Sequence, residues 1–453
     1  MIDEIIKNQR NFFDSGNTLD VKTRLSYLKK LKAAIIENEV KICTALKKDL
    51  GKSASEAYMC EIGMVLEDLS YQIKHLKGWV KPERRRSPMA QFPSSSYILP
   101  SPYGCTLIIS PWNYPFLLSL QPLIGAVGAG NTVLLKPSRF SKHTSAVIKE
   151  LVGSVFPPEY AAVVYGDDGL SQKLLEYKFD YIFFTGGARV GKSVYVQAAN
   201  NLTPVTLELG GKSPVIIDRT ADINLAAKRV AFGKFLNAGQ TCVAPDYVLV
   251  HESVAKQFAN SLKVWIEKLF PDALENEDYG KIITQRHFDR LLSLICGNVY
   301  YGGNSDSGKL KIEPTVIYPA SPDDAAMREE IFGPVLPIIE YSTEEKMFSV
   351  IEANRTPLAL YLFTTKKSTE QKVFSHVQFG GGCVNDVVIH LASTSLPFGG
   401  VGNSGIGSYH GKKSFETFSH FKAVLKKSNL IDIPVRYTPY TKFKDKMIKF
   451  FMK

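Results

Sequence analysis

DYIFFTGGARVGKS, residues 180–193, reads as a strand, two glycines and a helix-like stretch. Such a junction suits phosphate. Glycine lets backbone N–H groups close on an anion, and the helix N-terminus favours negative charge. From Gly186 to Ser193 the letters also fit GxxxxGK[ST], the loop that wraps a nucleoside triphosphate. In that reading Lys192 meets the terminal phosphates and Ser193 meets magnesium. In the other, Gly186, Gly187 and Gly191 form the turn of a dinucleotide fold. A tight turn with no ligand is the plain alternative.

The flanks favour an α/β chain. Short β-branched runs at residues 106–110, 132–135, 162–165, 181–184 and 205–207 are separated by helix-length stretches, the pattern of βαβ units around a parallel sheet. The alternation continues with residues 215–217, a helix over 223–236 and a strand at 247–250, which predicts a second α/β domain. Residues 215–218, VIID, resemble the strand that holds magnesium in triphosphatases. They follow closely on Ser193, however, and a Gly-Gly break intervenes. Residues 1–80 read as helical, with Leu25, Leu28, Leu31 and Ile35 at helix spacing and a further helix from Glu56 to Val80. Residues 84–103 are rich in proline and serine, as expected of a boundary or an arm outside the core.

The chain has 453 residues, of which 45% are apolar and 22% charged. That length calls for two or three domains, and the balance excludes disordered, collagenous and coiled-coil classes. The apolar runs are far shorter than the roughly 20 residues that span a bilayer. Met1-Ile2-Asp3-Glu4 has no signal-peptide pattern. The formal charge is +11, which suits anionic partners. Apart from residues 81–86 and the C-terminal tail it is spread out, so it reads as a basic soluble surface, and no nucleic-acid partner is expected. Cys43, Cys60, Cys105, Cys242, Cys296 and Cys383 form no CxxC pair or cluster. That predicts a reducing, cytoplasmic setting without a disulfide framework. The histidines are scattered too, so no metal site is expected.

Three further segments carry chemistry. NAGQTCVAPD, residues 237–246, places Cys242 in a glycine-containing loop after a helix, where a thiol gains access and a lowered pKa. A buried packing cysteine is the commoner fate of a single thiol. Glu208 ends the run 205–207 and precedes Gly210-Gly211, a position from which a carboxylate can face a cleft as a general base. A solvated loop glutamate is its plain alternative. In PWNYP, residues 111–115, two prolines fix a turn that can hold the Asn113 amide toward an oxyanion.

These segments form an ordered set that resembles the aldehyde dehydrogenase superfamily. The set comprises PWNYP, Lys136-Pro137-Ser138, Phe184-Thr185-Gly186-Gly187 with Gly191, ELGG at 208–211, Gly239-Gln240-Thr241-Cys242, EIFGPV at 330–335 and PFGGVGNSG at 397–405. It spans essentially the whole chain. The short N-terminal region and SYHGKKSFETFSH, residues 408–420, are most similar to the class 3 branch, which takes medium-chain, long-chain and aromatic aldehydes.

The resemblance implies an α/β aldehyde dehydrogenase-like fold. A Rossmann-type cofactor domain would hold 1–83 and 104–210, with a late return near 404–418. An α/β catalytic domain would hold 211–403. A small β bridging arm, 84–103 with 419–436, would pair subunits in a homodimer, leaving a tail at 437–453. The implied reaction is NAD- or NADP-dependent oxidation of an aldehyde to the carboxylic acid. Cys242 is then the nucleophile, Asn113 the oxyanion donor and Glu208 the base that hydrolyses the thioester. Lys136, Ser138, Arg139, Thr185, Gly186, Gly187, Gly191, Glu330 and Phe332 would bind cofactor. Tyr114 and residues 389–395 would line the substrate funnel. Arg139 stands where many relatives carry an acidic residue, so NADP is expected to be accepted at least comparably to NAD. A P-loop nucleotide hydrolase and a noncatalytic structural homologue are the rival classes; a coenzyme A-acylating variant is a closer one, which Glu208 disfavours.

In the tail, Phe443, Met447, Phe450 and Phe451 share a helix face among Lys442, Lys444, Lys446, Lys449 and Lys453. Such a helix either packs on the protein itself, across a substrate entrance, or lies in an anionic membrane interface as a peripheral contact.

Overall fold

The computed structural model describes residues 2–166 and 169–452. The N-terminal region is helical as expected. Asp20 caps the helix Val21–Glu37 by accepting from the N–H of Thr23 at 2.9 Å, and Leu25, Leu28, Leu31 and Ile35 bury its inner face. The helix expected from Glu56 to Val80 is interrupted: a π turn, Tyr58–Ile62, separates Ala54–Ala57 from Gly63–Trp79. Such turns insert a residue into the helical ladder and re-aim the side chains they carry.

Six strands form the first sheet, in the order Gly405–Ile406, Val205–Glu208, Tyr181–Thr185, Cys105–Ile109, Thr132–Lys136, Ala161–Val163. All neighbours are parallel except the first pair. Side-chain alternation divides this sheet between two cores. Leu107, Ile109, Leu134, Ile182, Phe184 and Leu207 face one; Ile108, Val133, Leu135 and Phe183 face the other. The helix Leu117–Ala129 is buried at every residue and is apolar apart from Ser119 and Gln121.

A second sheet of seven strands runs Val299–Tyr301, Thr315–Ile317, Val335–Tyr341, Tyr247–His251, Pro214–Ile217, Ala359–Phe363, Gly381–Val384. It is parallel but for the antiparallel Val299–Tyr301. In a separate three-stranded sheet Ser94–Pro102 lies between Glu83–Arg85 and Ser419–Lys427, with Ser419 opposite Pro102 and Lys427 opposite Ser94. No helix among the described residues is long and apolar enough to cross a membrane.

The two large sheets both contribute to one cavity. Thr185 and Glu208 lie at the carboxyl ends of adjacent strands of the first. The loop carrying Cys242 precedes Tyr247–His251 of the second.

Candidate active site

The helix Ile223–Phe235 delivers the chain to a tight turn, Leu236–Gly239. Asn237 and Ala238 take φ of 51° and 50°, a left-handed conformation that non-glycine residues rarely adopt without support. Support is present. The Asn237 N–H donates to the buried Glu56 carboxylate at 3.0 Å. Gln240, wholly buried, donates to the carbonyls of Asn237 and Lys281 at 3.0 Å and accepts from the Ile283 N–H. Gly239 is needed because a Cβ there would sit 2.2 Å from the Gly333 carbonyl oxygen. The loop is thus fixed on three sides before it reaches Cys242.

Asn113 is brought against this loop. Its Nδ2 donates to the Gln240 carbonyl at 3.1 Å, and the Tyr114 hydroxyl lies 2.7 Å from that of Thr241. The Asn113 carbonyl accepts from Asn237 Nδ2 at 2.8 Å and from Lys52 Nζ at 3.1 Å. Lys52 and Glu61 are both wholly buried and pair at 2.6 Å. The second oxygen of Glu61 accepts the N–H groups of Phe116 and Leu117, which open the helix Leu117–Ala129. Lys52 also lies 3.9 Å over the Tyr114 ring. Sequence reading missed Lys52, Glu56 and Glu61. They are isolated charged letters in a helical region, and only the tertiary fold carries them to the turn.

Glu208 is buried, and neither of its carboxylate oxygens has a partner; the Thr185 hydroxyl beside it is likewise unpartnered. Burial alone pushes the Glu208 carboxyl well above the usual range. The expectation of a lowered Cys242 pKa is corrected. Burial, with the charges of Glu330 and Glu208 nearby, pushes this thiol up to about 12. The loop supplies access without a cationic side chain that would stabilise a thiolate.

Two cavities meet at these residues. One, about 170 Å³, is almost entirely apolar and includes Met59, Met64, Tyr114, Leu117, Phe232 and Ile389 in its wall. The other, about 370 Å³, is lined by Pro111, Trp112, Asn113, Gly186, Gly187, Glu330 and Phe332, among others. Leu118, Thr185, Glu208, Leu209 and Cys242 belong to both. Of residues 389–395, Ile389, Leu391 and Ala392 reach the apolar cavity.

The second cavity suits a dinucleotide. The helix Ala188–Ala199 starts at Gly187 with no side-chain cap, so its first N–H groups remain available to an anion. A Cβ at Gly187 would meet nothing within 4 Å, whereas at Gly186 it would strike the Phe184 ring at 2.7 Å and at Gly191 Leu209 at 2.5 Å. Gly191 therefore lets helix and sheet pack closely. Glu330 is held against Gly210 and receives the Gly211 N–H, and burial raises its carboxyl to about 8. Phe332 lies edge-on to Trp112 at 5.4 Å. Arg290 and the buried Lys212–Asp246 pair tie down the 329–331 backbone.

Lys136 ends its strand opposite Ile109, at the same edge of the sheet. Ser138 turns its hydroxyl to the Phe140 N–H, and Arg139 is exposed with its guanidinium 4.6 Å over the Phe140 ring. These three stand outside the cavity's present lining.

The P-loop alternative fails on geometry. The helix begins at Ala188, so Lys192 and Ser193 lie within it, exposed, rather than after a phosphate-wrapping loop. The strand Pro214–Ile217 before Asp218 belongs to the other sheet.

Comparison with known proteins agrees. A model of the aldehyde dehydrogenase family matches residues 1–424. The chain is 46% identical over 457 residues to the 4,4'-diaponeurosporen-aldehyde dehydrogenase of Staphylococcus aureus, covering 100% of this chain and 99% of that protein. It is 43% identical over 431 residues to a dimeric NADP-preferring aldehyde dehydrogenase of Rattus norvegicus, covering 95% of each. The solved structure of Staphylococcus aureus AldH in a substrate-bound state superposes with a TM-score of 0.98 at 45% identity, covering 100% of both chains. The chain belongs to the aldehyde dehydrogenase family, oxidoreductases that act on aldehydes with NAD or NADP.

Proposed function

We propose that this enzyme oxidises long, apolar aldehydes to carboxylic acids through a thioester on Cys242. The observation that carries this reading is the junction of an apolar cavity and a glycine-floored cleft at Cys242, Glu208 and Thr185. Cys242 reacts from its small thiolate fraction, the thiol proton having passed to solvent, and its sulfur bonds to the aldehyde carbon. The oxyanion so formed faces the Cys242 N–H and the Asn113 amide, of which one N–H is spent on Gln240 and the other is free to donate. NAD(P)⁺, when bound, supplies the hydride acceptor. Glu208 then takes a proton from water, whose oxygen displaces the thiolate and releases the acid. A carboxylate buried without partners, with a raised proton affinity, suits that step. Glu330 and Phe332 would hold the nicotinamide end of the cofactor, Thr185, Gly186 and Gly187 the middle, and Lys136, Ser138 and Arg139 the adenosine end.

We assign 1–83 and 104–210, with 404–418, to cofactor binding and 211–403 to catalysis. We assign 84–103 with 419–436 to a bridging arm, and the tail to 437–453. The arm's edge strand Ser419–Lys427 exposes Phe421 and Leu425, which supports pairing with a second copy. The rat relative is named dimeric. Six free cysteines support a reducing, cytoplasmic setting. In the tail, Lys442–Phe451 sets Ile448 and Phe451 toward the arm near Met89 and Val435 and leaves Phe443 and Phe450 69% and 73% exposed. That exposed basic, aromatic face supports peripheral contact with an anionic membrane. Among the described residues the apolar cavity is lined by none beyond His410, so within one chain the described part of the tail does not line it.

The test is steady-state cofactor reduction with n-alkanals of rising length. The expected result is kcat/KM climbing roughly tenfold or more per two carbons until the cavity is full, at about 0.8 kcal/mol per buried methylene. A flat or falling series would contradict an apolar substrate.

A further inference from the structure

Besides Glu208 and Thr185 at the Cys242 junction, the apolar cavity has a further unpartnered polar group. Gln121, on the helix Leu117–Ala129, is 4% exposed, lines the cavity, and its Oε1 has no hydrogen-bond partner. A buried amide oxygen left bare is destabilising, and native folds seldom leave one without a partner, whether protein, water or ligand. Gln121 is also shared with a small annex of about 10 Å³. The annex adjoins the main cavity through Met64, Gln121, Leu391, Ala392 and His410, none of which lines the cofactor cleft. It therefore opens from a part of the channel away from the Cys242 junction.

The annex differs in chemistry from the channel that leads to it. Asp68, Ser393, Thr394 and His410 contribute to its wall beside Gln121. Asp68 is already satisfied by Gln72 Nε2 and the Gly411 N–H. Burial holds His410 down to about 3, so it is neutral, and its ring bonds the Leu391 carbonyl. The exposed Glu67 completes the polar wall, and the buried atom without a partner there is Gln121 Oε1. A volume of about 10 Å³ admits a single oxygen-sized group.

We propose that Gln121 selects aldehydes that carry a hydroxyl distant from the carbonyl, with that hydroxyl seated in the annex and donating to the amide. A hydroxyl both donates and accepts, so it satisfies the amide whichever way the side chain is turned. This rests on the apolar cavity being the aldehyde channel. Water fills the annex when a shorter or unsubstituted chain is bound. An unsubstituted chain long enough to enter it expels that water and leaves the amide bare, and is rejected.

The experiment compares kcat/KM for n-alkanals and ω-hydroxyalkanals of equal length, from about 6 to about 14 carbons, with the wild-type enzyme and with Gln121→Leu. The expected result is a preference for the hydroxyaldehyde of roughly tenfold at the length that reaches the annex, lost in Gln121→Leu. Equal kcat/KM for the two series at every length in the wild type would overturn the proposal without any variant. A preference that survives in Gln121→Leu would overturn it too. Oxidation of neither series would instead sink the channel reading beneath it, so the two failures are distinct.

Discussion

Cys242 is a thiol whose surroundings oppose ionisation. Burial and the carboxylates of Glu208 and Glu330 act in the same direction, and no cationic side chain offsets them. A raised pKa means that the thiolate fraction at neutral pH is below that of an ordinary cysteine and grows tenfold per pH unit. Carbamidomethylation of the Cys242 peptide in the cofactor-free enzyme is therefore expected to accelerate steadily beyond about pH 9. A plateau below about pH 8 would show a pre-formed thiolate instead. Glu208, with its carboxyl also raised by burial, loses basic capacity as pH falls, so turnover is expected to decline from alkaline to neutral pH. At the adenosine end, the guanidinium of Arg139 is exposed and close to the strand edge. Arg139→Glu is expected to reduce kcat/KM for NADP by roughly tenfold or more relative to NAD. An unchanged ratio would remove Arg139 from cofactor choice. Legibility differed sharply at this scale. Cys242, Glu208 and Asn113 stand in local motifs, and all three line one cavity. Lys52 and Glu61 are defined only by burial and by partners far along the chain, so nothing local marked them.

The helix Leu117–Ala129 and the turn before it are held by a buried ion pair. Glu61, placed by the π turn, receives the helix's first N–H groups, and Lys52 binds the Asn113 carbonyl. Removing one partner leaves the other charge buried and uncompensated. Lys52→Met is expected to lose about 3–5 kcal/mol of stability by denaturant titration. In the surviving folded enzyme kcat should fall while cofactor affinity holds, because Asn113 moves and the glycine-floored cleft does not. A stability loss below about 1 kcal/mol would show that the pair is not a structural anchor. Element boundaries were legible to within one residue where a strand lies inside a sheet, as at Tyr181–Thr185 and Pro214–Ile217. The edge strand Ala161–Val163, with a neighbour on one side only, begins and ends earlier than its β-branched letters suggest. The π turn was not legible, since π and α ladders draw on the same residues.

Across the whole molecule, strand ends of one large sheet and a loop leading into the other line one cavity, where Glu208 and Cys242 come together. Alternating strands and helices made that architecture readable as two α/β units. The P-loop spacing at Gly186–Ser193 was misleading, because only the sheet order and the start of the helix at Ala188 show that Lys192 is an ordinary helical residue. The third sheet pairs Ser94–Pro102 with Ser419–Lys427, strands remote in sequence that no local pattern could match. Sedimentation of the enzyme is expected to give a species of twice the chain mass; a monomer would reject the bridging role of that sheet. The central claim is that Cys242 carries the acyl group and Glu208 releases it. Rapid mixing of Glu208→Gln with a long-chain aldehyde and NAD(P)⁺ tests it most directly. The expected result is a burst of about one equivalent of reduced cofactor per active site, then turnover slowed by roughly 10²-fold or more, with the acyl mass on the Cys242 peptide. Full steady turnover without a burst, or an acyl group found on another residue, would contradict it.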